Sequence, residues 1–475
     1  MTLQVADAHG PHPTAEIYSA TARELADPGW AWARYEPDAR RPWNLALAAH
    51  LYRRAAFGAD WAHLQQAVSD GPQRTVEKLL GPQIDVEAFD RTYDEYEDIA
   101  AGSVDGLRAW WLRRMIETPH PLQEKMTLFW HGHFATNGGV LNQPRLMREH
   151  VRLLRRHALG SFDSLLQAIS RDPALLIWLG ADTNRKAAPS EGFVRPLMET
   201  FTLGPGNFSD QDVQEAARAF TGWLVLRDRL RYIRREHDEA AMDILGRRGH
   251  FTGDDVIRIV LEQPATPRTL VRKLYRWLLG EMEEPGEALI APLAESFARD
   301  YSVSRVVETM LRSNLLFSRQ SYRARIKCPV EFAVGIVVAL DAMVSTTRLG
   351  QDVAGLGQDL CRPPTVKGWA GGRHWIDSAS LARYHNLSVA LLQGGDPYGK
   401  RLDPWAVAHR HGCGTPESAA RFLLDLFVQG DLDPGVRDAL LQEVQVRTTD
   451  NNGEPGVALR HLARVVVTLP EYHLA

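Results

Sequence analysis

The sequence predicts a mainly α fold: a large multi-helix orthogonal array with at most a small β-hairpin. Three observations carry that reading. Apolar residues recur three and four positions apart through most of the chain. Stop and start signals punctuate it at helix-length intervals. Strand-like alternation is confined to Leu224, Leu226, Leu230 and Tyr232, within Leu224–Ile233.

Residues 1–42 read as a polar N-terminal arm with a short helix near Ala15–Leu25. A main helical domain spans 43–390, a linker 391–404, and a C-terminal helical segment, 405–475, packs on the main domain. Leu45, Leu47, Ala48, Leu51 and Tyr52 open the first helix, which Gly58 stops, and Asp60 caps the next, Trp61–Val68. Thr75–Leu80 is a further short helix, and Asp85–Ile99 is acidic. Leu107, Trp110, Trp111, Arg114 and Met115 keep helical spacing, and Pro119 and Pro121 separate that helix from the next. Pro144–Leu159 is a basic helix whose arginines read as a solvated face. Ser209-Asp210-Gln211-Asp212 caps a helix carrying Val213, Ala216, Ala217, Phe220 and Trp223. Four amphipathic helices follow between Asp254 and Ser313. Pro329–Leu340 is nearly uncharged after Val330 and belongs in the core, and Gly350–Trp375 reads as irregular. Glu417–Val428, Asp433–Arg447 and Val457–Leu469 close the chain as helices.

The bulk chemistry excludes several classes. A net charge of -4 gives no electrostatic footprint for nucleic acid or an anionic membrane. No window reaches about 18 uninterrupted apolar residues, the length a spanning helix needs. Cys328, Cys361 and Cys413 are too few and too scattered for a disulfide framework or a zinc pattern. Met1–Thr14 lacks a basic region followed by an apolar stretch, so no signal peptide is visible and the expected location is cytoplasmic. No phosphate-loop glycine pattern and no Gly-x-Ser-x-Gly elbow occurs.

The stretch Lys125–Thr136 sets two histidines among two phenylalanines and a tryptophan. Continued as a helix from Leu122, it puts Leu122, Met126, Phe129 and His133 on one face and His131 nearly opposite. If the chain extends from Gly132, both histidines face the same way and can share one metal or anion. The residues leave both geometries open.

Three blocks together resemble a bacterial family, domain of unknown function 1800. They are Glu124–Thr136, Phe193–Gly204 and Ala216–Trp223. Supporting blocks are His50–Gly58, His237-Asp238 before Leu245-Gly246, Ile326–Glu331, Pro363–Gly372 and the closing Pro470–Ala475. The resemblance runs from about Trp43 to Ala475. It departs at Ser190–Leu197, where Ser190, Gly192 and Pro196 replace two amides and an acid, and at Ala240 and Met242, which replace Gly and Lys. It implies a mostly helical protein and a sulfatase-like partner protein.

The polar residues matching the family's motifs are His131, His133, Glu191, Arg195, Glu199, His237 and Asp238. Imidazoles and carboxylates in one place are what a divalent metal or an acid/base pair requires. The candidate catalytic set is therefore His131, His133, Arg195, Glu199, His237 and Asp238, and the candidate metal ligands are His131, His133, Glu199 and His237. No His-Glu-x-x-His or paired Glu-x-x-His spacing accompanies them. Two functions follow. One is metal-assisted or acid/base, hydrolase-like chemistry at a shared centre. The other is a non-catalytic binding or assembly scaffold in which the same residues form a structural polar core, with Arg195 and Glu199 paired four apart on a helix.

Overall fold

The computed structural model describes residues 17–81, 86–100, 102–399, 402–450 and 454–475. Helices dominate, and the sheet among these residues is limited to two short antiparallel hairpins. The expected strand region forms one of them, Trp223–Leu226 with Arg229–Tyr232. Its turn residues, Arg227 and Asp228, both adopt left-handed backbone, the geometry that matches strand twist in a two-residue hairpin. The second hairpin, Met242–Ile244 with Arg247–Gly249, was not expected. It turns at Leu245-Gly246, again left-handed at both positions.

The remaining differences have local causes. Trp61–Leu80 holds two helices, as expected, joined across a kink at Gly71, whose backbone is non-helical with φ +78°; the second starts at Pro72, before the expected Thr75. Thr346–Gly355 is a helix that runs into the start of the stretch read as irregular, Gly350–Trp375. Its glycines hide an apolar face carrying Leu349 and Val353. Leu391, Tyr398 and Leu402 are buried where a linker was expected, and the first 16 residues of the expected arm, with part of its helix, lie outside the described residues.

Two large apolar clusters fill the molecule. The first gathers Leu47, Leu51, Phe162, Phe201, Trp223 and the helices between Gly253 and Arg312. The second gathers Trp110, Trp111, the helix Pro329–Ala339 and the C-terminal helices Pro416–Val428 and Pro455–Val467. The helix Pro121–His133 gives Leu122, Met126, Phe129 and Trp130 to the first and Leu128 to the second. A helix lodged between two cores is covered on every side, so its charged and imidazole groups are buried with its apolar ones. The same holds for Leu45–Ala55, which gives Leu47 to one cluster and Ala49 to the other. Trp110, Phe129, Trp130, Phe201, Trp223 and Val334, each at an apolar position of its segment, are all buried, as helical spacing leads one to expect.

Candidate functional site

Helix continues through His133, so the two histidines of the central stretch diverge. His131 points toward the second cluster, where its Nε2 accepts from Cys361 N at 3.1 Å and its ring lies against Trp111 and Trp369. Its protonated Nδ1 has no partner, and neither has Nε2 of His150, whose ring centre is 6.3 Å away. His150 Nδ1 is held by Asp172 at 2.6 Å. Burial, with a smaller effect from His150, pushes the His131 pKa down to about 3.

His133 points the other way. Its Nε2 donates to Phe201 O at 3.2 Å, which leaves Nδ1 as an acceptor for Lys273 Nζ at 3.2 Å. Burial and the Lys273 charge hold His133 neutral. Lys273 also donates to Thr200 O at 2.6 Å. That carbonyl belongs to Leu197–Phe201, a π-helical turn. Such turns are rare and concentrate at functional sites. The wider turn separates Glu199 from Arg195: Glu199 pairs with Lys367 at 2.8 Å, while Arg195 pairs with Glu191 and Asp210. The expected Arg195–Glu199 pair is thus replaced. Lys367 reaches this place because Gly368, with φ +74°, packs on the Gly132 carbonyl, where any Cβ would collide.

His237 and Asp238 take partners of their own. His237 Nδ1 donates to Thr221 O at 3.0 Å, and Asp238 accepts from Arg218 Nε at 2.7 Å. No hydrogen bond or ion pair joins any two of the six candidate residues, described as they all are. Apart from the sequence neighbours His237 and Asp238, which both bond to Thr221, only His133 and Glu199 come into one neighbourhood, through Lys273 and Lys367. Among the described residues no group of three or more His, Cys, Asp or Glu could hold a metal ion.

The strongest unbalanced chemistry lies elsewhere, beside Lys125. Its Nζ is fully buried, donates to Arg53 O at 3.1 Å and Ala56 O at 2.8 Å, and pairs with Glu331. Glu331 also pairs with Arg325 and accepts from Cys328 N at 2.8 Å, as the N-terminal acid of Pro329–Ala339 should. Around this one buried carboxylate stand five buried cations: Arg53, Arg54, Lys125, Arg325 and Lys327. Glu281, partly buried, adds charge at the edge by accepting from Ile326 N at 2.8 Å. Asp431 is occupied by Arg323 at 3.2 Å. Positive charge therefore remains in excess.

Its arginines are also short of acceptors. Arg53 donates one N–H to Gln429 Oε1 at 2.6 Å, but its Nε and Nη2 have no partner. Arg54 donates to Ser321 O at 2.6 Å, and its Nε and Nη1 have none. Lys327 Nζ lies 3.5 Å from the centre of the Tyr472 ring. Burial lowers the pKa values of Lys125 to about 8 and Arg53 to about 10, and those of Arg54 and Lys327 well below their usual ranges.

A cavity of about 40 Å³ opens here, lined by Arg53, Lys327, Glu331, Gly335, Gln429 and Tyr472, among others. One water needs about 10–15 Å³ on this measure, so the space holds a few waters or one small anion. Phe57, Gly58 and Ala59 line both this chamber and a surface cleft of about 720 Å³. Sequence reasoning passed over this centre. The visible signal was charge inside apolar blocks: Arg53-Arg54 in His50–Gly58, and Lys327 and Glu331 at the head of the uncharged helix.

Residues 50–474 match the model of the family described as Protein of unknown function (DUF1800). No curated protein and no solved structure matches the chain.

Proposed function

We infer, for a chain that belongs to the DUF1800 family, that its function is to bind a small anion in the chamber between Arg53, Lys327 and Gln429. The observation that carries this is the pair of unpartnered Arg53 donors, Nε and Nη2, on a residue that lines the cavity and is 8% exposed. A guanidinium does not give up its proton at ordinary pH. A buried one without acceptors costs several kcal/mol. An anion in the chamber removes that cost by supplying both charge and lone pairs. Three blocks that contribute to the chamber lining, His50–Gly58, Ile326–Glu331 and Pro470–Ala475, are among those that carry the family resemblance.

Metal-assisted or acid/base chemistry at His131, His133, Arg195, Glu199, His237 and Asp238 gains less support, because their partners are separate. The binding reading keeps them as polar ties between helices. Of the described residues, no helix is long and apolar enough to cross a membrane.

The test is thermal unfolding and calorimetric titration of the full chain with phosphate, sulfate, nitrate and chloride at constant ionic strength. Sulfate is also the product that the implied sulfatase-like partner would release. One anion should raise the melting temperature saturably, and Arg53→Met should abolish the rise. Equal, unsaturable responses to all four would count against the reading.

A further inference from the structure

Against a net charge of -4 for the whole chain, five arginines crowd into nine residues: Arg227, Arg229, Arg231, Arg234 and Arg235. They belong to the hairpin Trp223–Leu226 with Arg229–Tyr232 and to the single turn that follows it. Arg234 and Arg235 have carboxylates beside them, Glu239 at 3.1 Å and Glu236 at 3.8 Å. Arg227, Arg229 and Arg231 are exposed and pair with no carboxylate of the described residues. Arg227 keeps its charge at a turn position with φ +52°, where asparagine or glycine is the favoured choice.

One edge of this hairpin is covered and the other is open. Ile233 N donates to Gly222 O at 2.7 Å, which sets the alternation of the ladder. Trp223 O and Val225 N therefore point away from the partner strand, to Asn184 N at 3.1 Å and Asp182 O at 2.7 Å. By the same alternation the N–H and C=O groups of Leu230 and Tyr232 point to the opposite edge, where no backbone of the described residues meets them. Side chains alternate too. Leu230 and Tyr232, the latter 50% exposed, stand on the face with Trp223, along a groove of about 640 Å³. Arg229 and Arg231 stand on the other face, with Arg229 also reaching the groove.

We propose that the open edge of Arg229–Tyr232 binds an extended segment of a partner protein in which acidic and apolar residues alternate. The segment adds as a third strand, and its backbone supplies the missing partners of Leu230 and Tyr232. Its apolar side chains fall beside Leu230 and Tyr232 at the groove, and its carboxylates fall beside Arg229 and Arg231. A second copy of this hairpin does not suit the edge, because it would set arginine against arginine on one face. The unmet N–H and C=O groups favour a polypeptide over a nucleic acid or an anionic membrane, either of which would use the arginines and leave the edge open.

The test titrates the full chain into a fluorescein-labelled peptide, Glu-Val-Glu-Tyr-Glu-Val-Glu, and reads fluorescence anisotropy. Saturable binding is expected. The same peptide N-methylated along its backbone keeps its charge and side chains and should not bind. Arg229→Ser with Arg231→Ser, both at exposed positions, should weaken binding roughly tenfold. Leu230→Pro removes an outward N–H and spares the pairing with Val225, and should weaken binding about fivefold. Should proline disturb the hairpin, the arginine variant and the methylated peptide decide. A labelled oligothymidylate and phosphatidylserine vesicles should bind more weakly than the peptide. No binding of the peptide, equal binding of its methylated form, an affinity that the double arginine variant keeps, or tighter binding of the oligonucleotide or vesicles would overturn the proposal.

Discussion

Glu124 and Glu331 are both buried carboxylates facing arginines, yet one centre is closed and the other is open. Glu124 Oε1 accepts from Arg114 Nε at 2.6 Å and Arg155 Nε at 2.7 Å. Its Oε2 accepts from Trp111 Nε1 at 2.9 Å and Arg155 Nη2 at 3.2 Å. Arg114 spends a further N–H on Asp90. Neither arginine has an unpartnered buried nitrogen. At Glu331 the carboxylate is equally well served, but Arg53, Arg54 and Arg325 all keep N–H groups without acceptors, and a cavity lies alongside. A saturated cluster ties helices together and has nothing left to offer a ligand. An unsaturated one retains both binding capacity and an energetic reason to bind.

The comparison can be broken by removing each carboxylate. Glu124→Ala strands Arg114 and Arg155 in the interior and should cost about 3–5 kcal/mol in urea unfolding, the range for breaking a buried pair. No anion should restore it. A loss below about 1 kcal/mol would mean that solvent reaches the cluster. Glu331→Gln should cost a similar amount in a buffer of large organic ions. Here, however, the chamber anion should return part of the loss, about 2.7 kcal/mol at a hundredfold excess over its Kd. Identical anion responses in the two variants would erase the distinction drawn here.

Proton linkage separates the centres by pH window, since both pKa values are depressed and stability rises with pH at each, but over different ranges. Burial alone would raise the Glu124 pKa, but the charges of Arg155 and Arg114 outweigh it and hold it at about 2, against an ordinary 4.5. Its contribution is therefore complete above about pH 4.5 and disappears as pH falls toward 2. For Lys125, burial lowers the pKa from 10.5 to about 8. Between those values the unfolded chain holds the extra proton, so this group makes stability rise with pH from 8 to 10.5. A chamber anion favours the charged lysine and should flatten that rise. Urea midpoints measured across pH 8–10, with and without anion, give the check.

The smallest effect belongs to Arg53→Met. Without anion it removes an uncompensated charge while keeping apolar bulk, so stability should change by less than about 1 kcal/mol, or increase. A loss above about 3 kcal/mol would show that Arg53 is a structural tie like Arg155.

Much of the fold was legible because its signals are local. Asp60 and Ser209 cap the helices they were expected to cap. Pro121 and Pro329 open theirs, and the apolar spacing around Trp110 and the nearly uncharged helix that carries Val334 both lead into the core. The hairpin at Trp223–Tyr232 followed from alternation, whereas Met242–Gly249 has strands of only three residues, too short for a period to register. Arg155 shows the limit of charge patterning: it sits in a helix rich in arginines, and only packing shows that it faces Glu124 rather than solvent.

The sequence by itself determined the helical class, the family and the elements, since capping, proline geometry and periodicity act over a few residues. The direction of each imidazole and the company of each charge were decided by tertiary structure. Whether His131 and His133 share a face depended on one turn of helix continuing past Gly132. Whether Glu199 met Arg195 or Lys367 depended on a π turn and on a glycine contact from a segment 168 residues away in sequence. Arg53, Lys125, Lys327 and Glu331 come from three separate segments. Their imbalance exists only once the two cores close around them, because water compensates the same charges in the open chain.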